Sequence, residues 1–291
     1  MPGSPYTDLD RPPLSAARLR RALVAPYGPW ARLELKAETG STNADVAEAA
    51  RAGEPEGLVV VAEQQNAGRG RRGRVWQSPP RAGIATSVLL RPGEAVAERE
   101  WPAAPPSAYG WLPLLAGVAL VEAVARLGEL DATLKWPNDL LIDGAKCAGL
   151  LAEAVPGVTG DQPPAVVVGI GLNVTLRADE LPENPTGLPA TSLQLAGAAT
   201  TDRDPLLRAL LRSLADWYDR WRSAGGDAVA SGLREAYVAA CATIDRPVRV
   251  LLPDGSELTG TATGVDRDGQ LVVETSDGPR QVAAGDLLHL R

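Results

Sequence analysis

The sequence has little of the side chains that most often supply enzymes with a nucleophile or a proton carrier. It contains two cysteines, one histidine and no phenylalanine in 291 residues. His289 lies near the C-terminus in a segment that alternates like a terminal strand, where a catalytic imidazole is not expected. Cys147 and Cys241 are far apart, which argues against a disulfide framework and a zinc site. Mechanisms based on Ser/His or Cys/His pairs are therefore disfavoured, so chemistry must rest on arginine, lysine, carboxylate and backbone groups.

A basic surface and a long apolar run are also missing. The formal net charge is -7, whereas a general nucleic-acid-binding coat normally needs a positive surface. No apolar run approaches the ~20 residues that span a bilayer. The Pro-rich segment 1–13 lacks the basic-then-apolar pattern of a signal peptide. We therefore expect a cytoplasmic protein that binds neither DNA nor a membrane.

Lysine is scarce, and two of the few lysines lie close together in the sequence. Only three of the 29 basic residues are lysine, namely Lys36, Lys135 and Lys146. Two of them fall in one short segment, 135–146. Because lysine is a compact, steerable point charge and arginine a wide planar fork, we infer that a site in this segment requires lysine geometry. Chance clustering of so few residues remains the alternative.

Hydrophobic periodicity and turn signals predict an α+β fold. Helices are predicted at residues 15–24, 44–52, 111–127, 205–224 and 228–241, and strands at 32–38, 57–63, 84–91, 133–136, 139–142, 146–154 and 165–176. This order is not a regular βαβ alternation, which predicts a mixed, largely antiparallel sheet with flanking helices. From residue 246 onward, short alternating runs separated by three Asp-Gly turns predict a small antiparallel barrel of about five strands.

Several local expectations accompany this fold. We divide the chain into an N-terminal extension (1–30), a large domain (31–243) and a small domain (244–291). Residues 64–80 and 179–189 are expected to be loops, and the Pro/Ala-rich insertion 94–107 is expected to be poorly ordered. Thr42, with Asp45 three positions later, resembles a capping box at a helix start.

The strongest local signal is the run Gly68-Arg69-Gly70-Arg71-Arg72-Gly73, followed by Arg74 and Trp76. Four arginines within six residues repel one another, so an anion is expected among them. The glycines allow the backbone to present N–H groups to that anion. The run is neither a Walker loop nor a dinucleotide fingerprint. A solvated basic tip and a nucleic-acid-binding Gly/Arg segment remain alternatives.

A second signal is Lys135-Trp136-Pro137-Asn138-Asp139, with Lys146 and Gly149 following across a hairpin. The hairpin, with Asp143-Gly144 at its turn, is expected to bring a lysine, an amide and a carboxylate together. A structural ion pair at a sheet edge would explain the same residues.

A third signal is the pair of glycines in Val168-Gly169-Ile170-Gly171-Leu172-Asn173. Glycines inside an apolar strand usually mark a bulge or the close approach of a ligand to the backbone. Asn173 would be costly to bury unless its amide is hydrogen-bonded. A twisted strand corner is an equal explanation.

Taken in order, these motifs resemble those of the biotin–protein ligases. The resemblance rests on Ser41-Thr42-Asn43, Gln64-Gln65, the Gly68–Gly73 run with Trp76, Lys135–Asp139, Lys146-x-x-Gly149 and Gly169-x-Gly171-x-Asn173, and it is close over residues 32–173. It implies a class II aminoacyl-tRNA synthetase-like catalytic domain and an SH3-like C-terminal domain. Only about thirty residues precede the first core strand, so we expect a monofunctional ligase without the winged-helix repressor domain of some members.

The resemblance implies a two-step reaction. Biotin and ATP form biotinyl-5′-AMP, and biotin is then transferred to a lysine of a biotin carboxyl carrier domain, as found in acyl-CoA or pyruvate carboxylases. Mg²⁺ is expected on the phosphates rather than in an all-protein cage. The related alternative is a lipoate or octanoyl ligase or transferase. The small barrel either docks the carrier or supports the catalytic domain.

The resemblance also assigns roles to residues. Lys146, Arg71 and Asp139 are the candidate catalytic residues, with Lys146 bridging the biotin carboxylate and the α-phosphate and Asp139 receiving the carrier lysine. The loop from Gly68 to Trp76 is expected to close over the ligand. Biotin-binding candidates are Ser41, Thr42, Asn43, Gln65, Gly68, Arg69, Gly70, Arg71, Lys146, Gly149 and Gly171. ATP-binding candidates are Arg69, Arg71, Arg72, Trp76, Asn138, Lys146 and Asn173.

Overall fold

The computed structural model describes residues 11–157, 159, 162–182 and 187–290, and its main feature is a seven-stranded sheet. The strands are β1 (Arg32–Lys36), β2 (Leu58–Ala62), β3 (Gly83–Leu90), β4 (Ala132–Lys135), β5 (Asp139–Ile142), β6 (Ala145–Val155) and β7 (Ala165–Asn173). Their order is β1-β2-β3-β7-β6-β5-β4, with β1 parallel to β2 and all other neighbours antiparallel. The predicted mixed, largely antiparallel sheet is confirmed. Two parts of the predictions, 1–10 of the extension and 183–186 of the second loop, lie outside the described residues.

Helices cover both faces of this sheet. They are α1 (Ala16–Leu23), α2 (Thr42–Arg51), α3 (Trp111–Gly128), α4 (Arg203–Ser223) and α5 (Leu233–Ala240). All of β2 is buried: Val59 and Val61 pack into the main core with α1, α3, α4 and α5, whereas Leu58 and Val60 pack with α2. Because successive strand residues point to opposite faces, a strand covered on both faces reads as a continuous apolar run.

Helix α3 is apolar on almost every side. The segment Pro106–Gly128 is long and apolar enough to cross a membrane by length and composition alone, so the expectation that no apolar run approaches that length was wrong. In the structure α3 packs against α4, α5 and the sheet. A helix that is hydrophobic all round belongs in a protein core or a membrane, and here the core accounts for its composition.

The insertion 94–107 is packed, so the expectation of poor order was wrong. Trp101 is only 4% exposed, and its indole N–H donates to the Asp219 carboxylate. Arg222 of α4 is fully buried and donates to the carbonyls of Glu94 and Pro102. The composition of the insertion concealed this because its anchors lie on α4, more than a hundred residues later in the chain.

The predicted capping box is also wrong. Helix α2 begins at Thr42 with Ser41 as its N-cap, and the Ser41 side chain accepts no capping hydrogen bond. Asp45 accepts a hydrogen bond from Thr39 instead and forms an ion pair with Lys36. The Thr42 hydroxyl is thereby left for other partners.

Helix α5 is shorter than predicted. Residues 228–231 form turns, because the Asp227 carboxylate accepts the backbone N–H groups of Val229 and Ala230. Gly232 follows with a φ of 75°, a left-handed conformation that favours glycine and separates these turns from the helix.

The C-terminal residues form a second, five-stranded antiparallel sheet, as predicted. Its strands are β8 (Pro247–Leu251), β9 (Glu257–Val265), β10 (Leu271–Thr275), β11 (Gly278–Val282) and β12 (Asp286–His289), in the order β11-β10-β9-β8-β12. This sheet is joined to the rest of the protein by hydrogen bonds: the Trp111 indole of α3 donates to the Arg267 carbonyl between β9 and β10, and the Trp136 backbone N–H donates to the Thr243 hydroxyl ahead of β8. The start of β12 lies beside the end of β4 and the start of β5.

Candidate active site

A cavity of about 370 Å³ opens on the face of the sheet that α2 covers, a size typical of small-molecule sites. Its floor is formed by β6 and β7, and its walls by the start of α2, by residues 65–77 and by chain that follows β7. The lining residues are Ser41, Thr42, Asn43, Gln65, Arg69, Gly70, Arg71, Arg74, Val75, Trp76, Gln77, Asn138, Lys146, Gly149, Leu150, Leu151, Gly169, Ile170, Gly171, Asn173, Pro182 and Ala190.

Two glycines make the floor of the cavity smooth. Gly149 of β6 and Gly171 of β7 lie directly opposite each other in the sheet, and the Trp76 indole packs onto both. A Cβ atom on Gly171 would lie 2.4 Å from Trp76 Cε2, and one on Gly149 would lie 3.1 Å from Cζ3. The two glycines are therefore explained by the close approach of a flat group to the backbone, here an indole.

One end of the cavity is a hydrogen-bonded polar pocket. Thr42 donates to the Gln65 side-chain oxygen from both its backbone N–H and its hydroxyl, at 2.8 and 3.0 Å. The Asn43 amide donates to Glu153 at 2.7 Å, and the buried Ser87 hydroxyl lies within hydrogen-bonding distance of both Thr42 and Asn43. Such a network holds each side chain in one orientation, which preorganises the pocket for a polar ligand group.

Lys146 lies at the other end of the cavity. Its ammonium is 2.6 Å from the Asp139 carboxylate and 5.8 Å from the centre of the Trp76 ring. A shift in the pairing of β5 with β6 follows it, between Lys146 and Ala148, and the Lys146 backbone is hydrogen-bonded to Pro189 and Thr191. These backbone contacts fix the position from which the Lys146 side chain extends.

Asn138 and Asn173 complete this end of the cavity. The Asn138 amide donates to the Leu150 carbonyl at 3.1 Å. Asn173, only 3% exposed, donates to the Thr191 carbonyl at 2.9 Å. Each donated bond offsets the cost of burying the amide, so both side chains are held at the cavity wall.

The segment Gly68–Trp76, which we call the arginine loop, closes the cavity from above. Its backbone is tied by hydrogen bonds from Gly70 to Arg74 and from Trp76 to Gly68. Arg71 donates at 3.3 Å to the Asn138 side-chain oxygen and to the Gly285 carbonyl, and within the described part of the chain it makes no ion pair. Its positive charge therefore faces the cavity without a carboxylate partner.

Burial changes the pKa of two cations in this region, Arg71 and Lys135. It lowers the pKa of Arg71, an effect that the Asp286 carboxylate partly opposes. It also lowers the pKa of Lys135, which lines a smaller cavity between the two sheets, with Asp139 opposing the shift. A desolvated cation gains more from an incoming anion than a solvated one. This end of the site therefore favours a negatively charged ligand.

Comparisons with known proteins agree with this geometry. Residues 39–173 match the model of the biotin/lipoate A/B protein ligase family, and residues 243–290 match that of the biotin protein ligase C-terminal domain. The chain is 40% identical to a biotin–[acetyl-CoA-carboxylase] ligase of Mycobacterium tuberculosis, over 98% of this chain and 100% of that protein. It belongs to the biotin protein ligase family.

One further relative and one solved structure are similar to this ligase over most of its length. It is 32% identical to a biotin–[acetyl-CoA-carboxylase] ligase of Paracoccus denitrificans, with 86% of this chain and 98% of that protein covered. Among solved structures, a biotin protein ligase of Aquifex aeolicus in complex with biotin and ATP superposes with a TM-score of 0.68, at 25% identity, covering 90% of this chain and 100% of that one.

The structure brings most of the predicted site residues of this ligase to one cavity, but not all. Gly68, Arg72 and Asp139 do not line it. Gly68 is packed inside the loop, where a Cβ atom would lie 2.3 Å from the Trp76 carbonyl oxygen. Arg72 turns away to Asp286. Asp139 reaches the site through its ion pair with Lys146.

Sequence reasoning missed four residues that shape the site. Ser87 and Glu153 complete the polar pocket. The adjacent Thr86 and Ser87 are the two polar side chains of the apolar strand β3, and this is the signal that could have found Ser87. Gly169 was noticed as a motif residue without a role; a Cβ atom there would lie 1.9 Å from the Asn43 side-chain oxygen. Asp286 of the small sheet carried no local signal, because its partners are more than two hundred residues away in sequence.

Proposed function

We propose that this protein activates biotin with ATP to biotinyl-5′-AMP and then transfers biotin to a lysine of acetyl-CoA carboxylase. The observation that carries the proposal is one cavity with a preorganised polar pocket at one end and two cations at the other: Lys146, held by Asp139, and Arg71, which makes no ion pair with any described residue. Biotin has matching ends, a polar ureido ring and a carboxylate. The names of the full-length relatives support the same reaction and acceptor.

In the first step an oxygen of the biotin carboxylate attacks the α-phosphorus of ATP, a P–O bond forms, and the bond to pyrophosphate breaks. The main obstacle is repulsion between two anions, which fixed cations in a water-poor cleft reduce. We assign this role to Lys146 and Arg71, with Arg69 on the phosphates. Asp139 holds the Lys146 ammonium until the ligands supply their own negative charge.

In the second step the acceptor lysine attacks the carbonyl carbon of the mixed anhydride, and AMP leaves. The attacking amine must be neutral, so a carboxylate that takes its proton assists the step. Asp139 is the candidate, because it lies beside Lys146 at the end of the cavity where the anhydride would form.

The remaining contacts are proposed by position. Ser41, Thr42, Asn43 and Gln65 bind the ureido ring. The Trp76 indole, which covers Gly149 and Gly171 in this structure, moves off this floor when biotin binds over it. Trp76 stacks on adenine. Asn138 and Asn173 meet the ATP side, and Gly68 and Gly70 shape the arginine loop around the ligand. Among the described residues no cluster of three or more His, Cys, Asp or Glu side chains could hold a metal ion, so Mg²⁺ would be held mainly by the ATP phosphates, where it would offset part of their negative charge.

Finer features of the fold and setting belong to the same proposal. Residues 31–243 are taken as a class II synthetase-like catalytic domain, after an extension of residues 1–30, and residues 244–291 as an SH3-like domain. The acceptor is the biotin carboxyl carrier domain, with that of pyruvate carboxylase as a further acceptor, and the reaction takes place in the cytoplasm without DNA or membrane.

The decisive experiment is transfer of labelled biotin to a purified carrier domain. Incorporation should require ATP and release AMP, and it should be lost when the acceptor lysine of the carrier is replaced by arginine. Calorimetric titration with biotin and with lipoate distinguishes the related activity. Binding of lipoate but not biotin, or transfer without ATP, would refute the proposal.

A further inference from the structure

The small C-terminal sheet contacts the arginine loop through one carboxylate. Asp286, the first residue of β12, lies 2.9 Å from the Arg72 guanidinium and 2.6 Å from that of Arg74. The residue before it, Gly285, accepts a hydrogen bond from Arg71 at 3.3 Å. Arg71, Arg72 and Arg74 of the loop are thus all bound by two neighbouring residues of the small sheet.

The loop conformation needs such an anchor. Arg72 has a φ of 55°, a left-handed conformation that costs a non-glycine residue free energy, and Gly73 follows with a φ of 72°. Two successive left-handed residues reverse the chain, and the guanidinium groups of Arg72 and Arg74 on either side of Gly73 meet at the same carboxylate. A strained residue persists only where its surroundings hold it. The Arg72 guanidinium donates to the Asp286 carboxylate and to the Leu251 carbonyl, both in the small sheet.

Charge supports the same interpretation. Burial alone would raise the pKa of the Asp286 carboxyl, but the guanidinium groups of Arg74 and Arg72 outweigh it and hold that pKa below its usual value. The carboxylate is therefore ionised at neutral pH and offsets part of the repulsion among the loop arginines. Arg71 stays without an ion pair in the described chain and keeps its charge for the cavity.

We propose that Asp286 is a positioning residue for biotin activation: it fixes Arg72 and Arg74 so that Arg71 points into the cavity. The inference rests on the proposed function for its kinetic readout.

The test compares Asp286→Asn with Asp286→Glu and with Asp277→Asn, an exposed aspartate of the same sheet that touches no loop arginine. In biotin-dependent ATP–pyrophosphate exchange, Asp286→Asn should raise the KM for ATP by roughly tenfold, the scale of losing charge-assisted hydrogen bonds, with a smaller change in kcat. Asp286→Glu should recover most of that loss, and Asp277→Asn should match the wild type.

Two further measurements separate this from a folding defect and from failure of the proposed function. Amide exchange across 68–76 in the ligand-free protein should be faster in Asp286→Asn, and this readout needs no activity. Arg72→Gln removes the same ion pair from the loop side, and the double variant should be no worse than Asp286→Asn alone. Unchanged KM for ATP and unchanged amide exchange in Asp286→Asn would overturn the inference, whereas a wild type without any exchange activity would overturn the proposed function instead.

Discussion

Replacing Lys146 by arginine tests whether the cavity needs a compact cation rather than a positive charge of any shape. The Lys146 ammonium is held between the Asp139 carboxylate, at 2.6 Å, and the Trp76 ring, whose centre is 5.8 Å away. A longer, planar guanidinium cannot take that position and must place its charge elsewhere. Moving a unit charge from about 3 to about 6 Å from the reacting oxygens, at an effective dielectric constant of about 20, forfeits roughly 3 kcal/mol.

That loss corresponds to a decrease of about 100-fold in the adenylation rate, within the range seen when one donor is removed from an oxyanion site. The assay is biotin-dependent ATP–pyrophosphate exchange, which reports the first half-reaction alone. Lys36→Arg is the matched control, because Lys36 is also paired with an aspartate, Asp45, at 3.1 Å, but does not line the cavity. If Lys146→Arg retains activity within about threefold of the Lys36→Arg control, the argument from lysine geometry is wrong.

Three further variants probe other parts of the site and its support. Arg71→Gly should release biotinyl-AMP and label bystander proteins on a streptavidin blot, since the cation facing the cavity is lost; wild-type labelling would contradict this. Gly169→Ala should weaken biotin binding by roughly 10–100-fold in calorimetry, because its Cβ atom displaces Asn43 and breaks a buried network; an affinity within about twofold of the wild type would show that Asn43 does not contribute. Burial, together with the charges of Lys135 and Arg246, lowers the pKa of His289 to about 4 in the folded protein. Between about pH 6.5 and pH 4 the unfolded chain therefore binds more protons than the folded one, so the free energy of unfolding should decrease by at most about 3 kcal/mol as the pH falls through this range. His289→Gln should remove that part of the pH dependence in thermal melts, and an unchanged dependence would refute the assignment.

The sequence was sufficient for the parts of the fold that depend on local signals. Both sheets, their strand number and the hairpin at Asp143-Gly144 follow from alternation and turn residues, which act over a few positions. The insertion 94–107 was misjudged because its order comes from Arg222 and Asp219 on α4. The capping box failed because Asp45 found partners in Thr39 and Lys36.

The same division holds for the candidate site. Motifs located the glycine floor, the start of α2, Lys146 and the arginine loop, because each has an unusual composition for its place in the chain. They could not reveal that Arg72 points away from the cavity, since a left-handed residue inside the loop decides this. They could not reveal Ser87 and Glu153 as members of the polar pocket either, because these are single polar residues whose meaning comes from neighbours on other strands.

The charges of the site are balanced between the two sheets. In the proposed mechanism Arg71 and Lys146 are both cationic, and both line one cavity. Carboxylates nearby reduce the repulsion between such cations in the ligand-free protein. Asp139 does so for Lys146 at 2.6 Å from within the large sheet, and Asp286 does so for the arginine loop from the small one. An anionic ligand can replace the first carboxylate at the ammonium without disturbing the second, because Asp286 holds Arg72 and Arg74 rather than Arg71. The arginine loop can therefore stay bound to Asp286 while an anionic ligand replaces Asp139 as the partner of Lys146. This allows two substrates that repel each other to bind in one cavity.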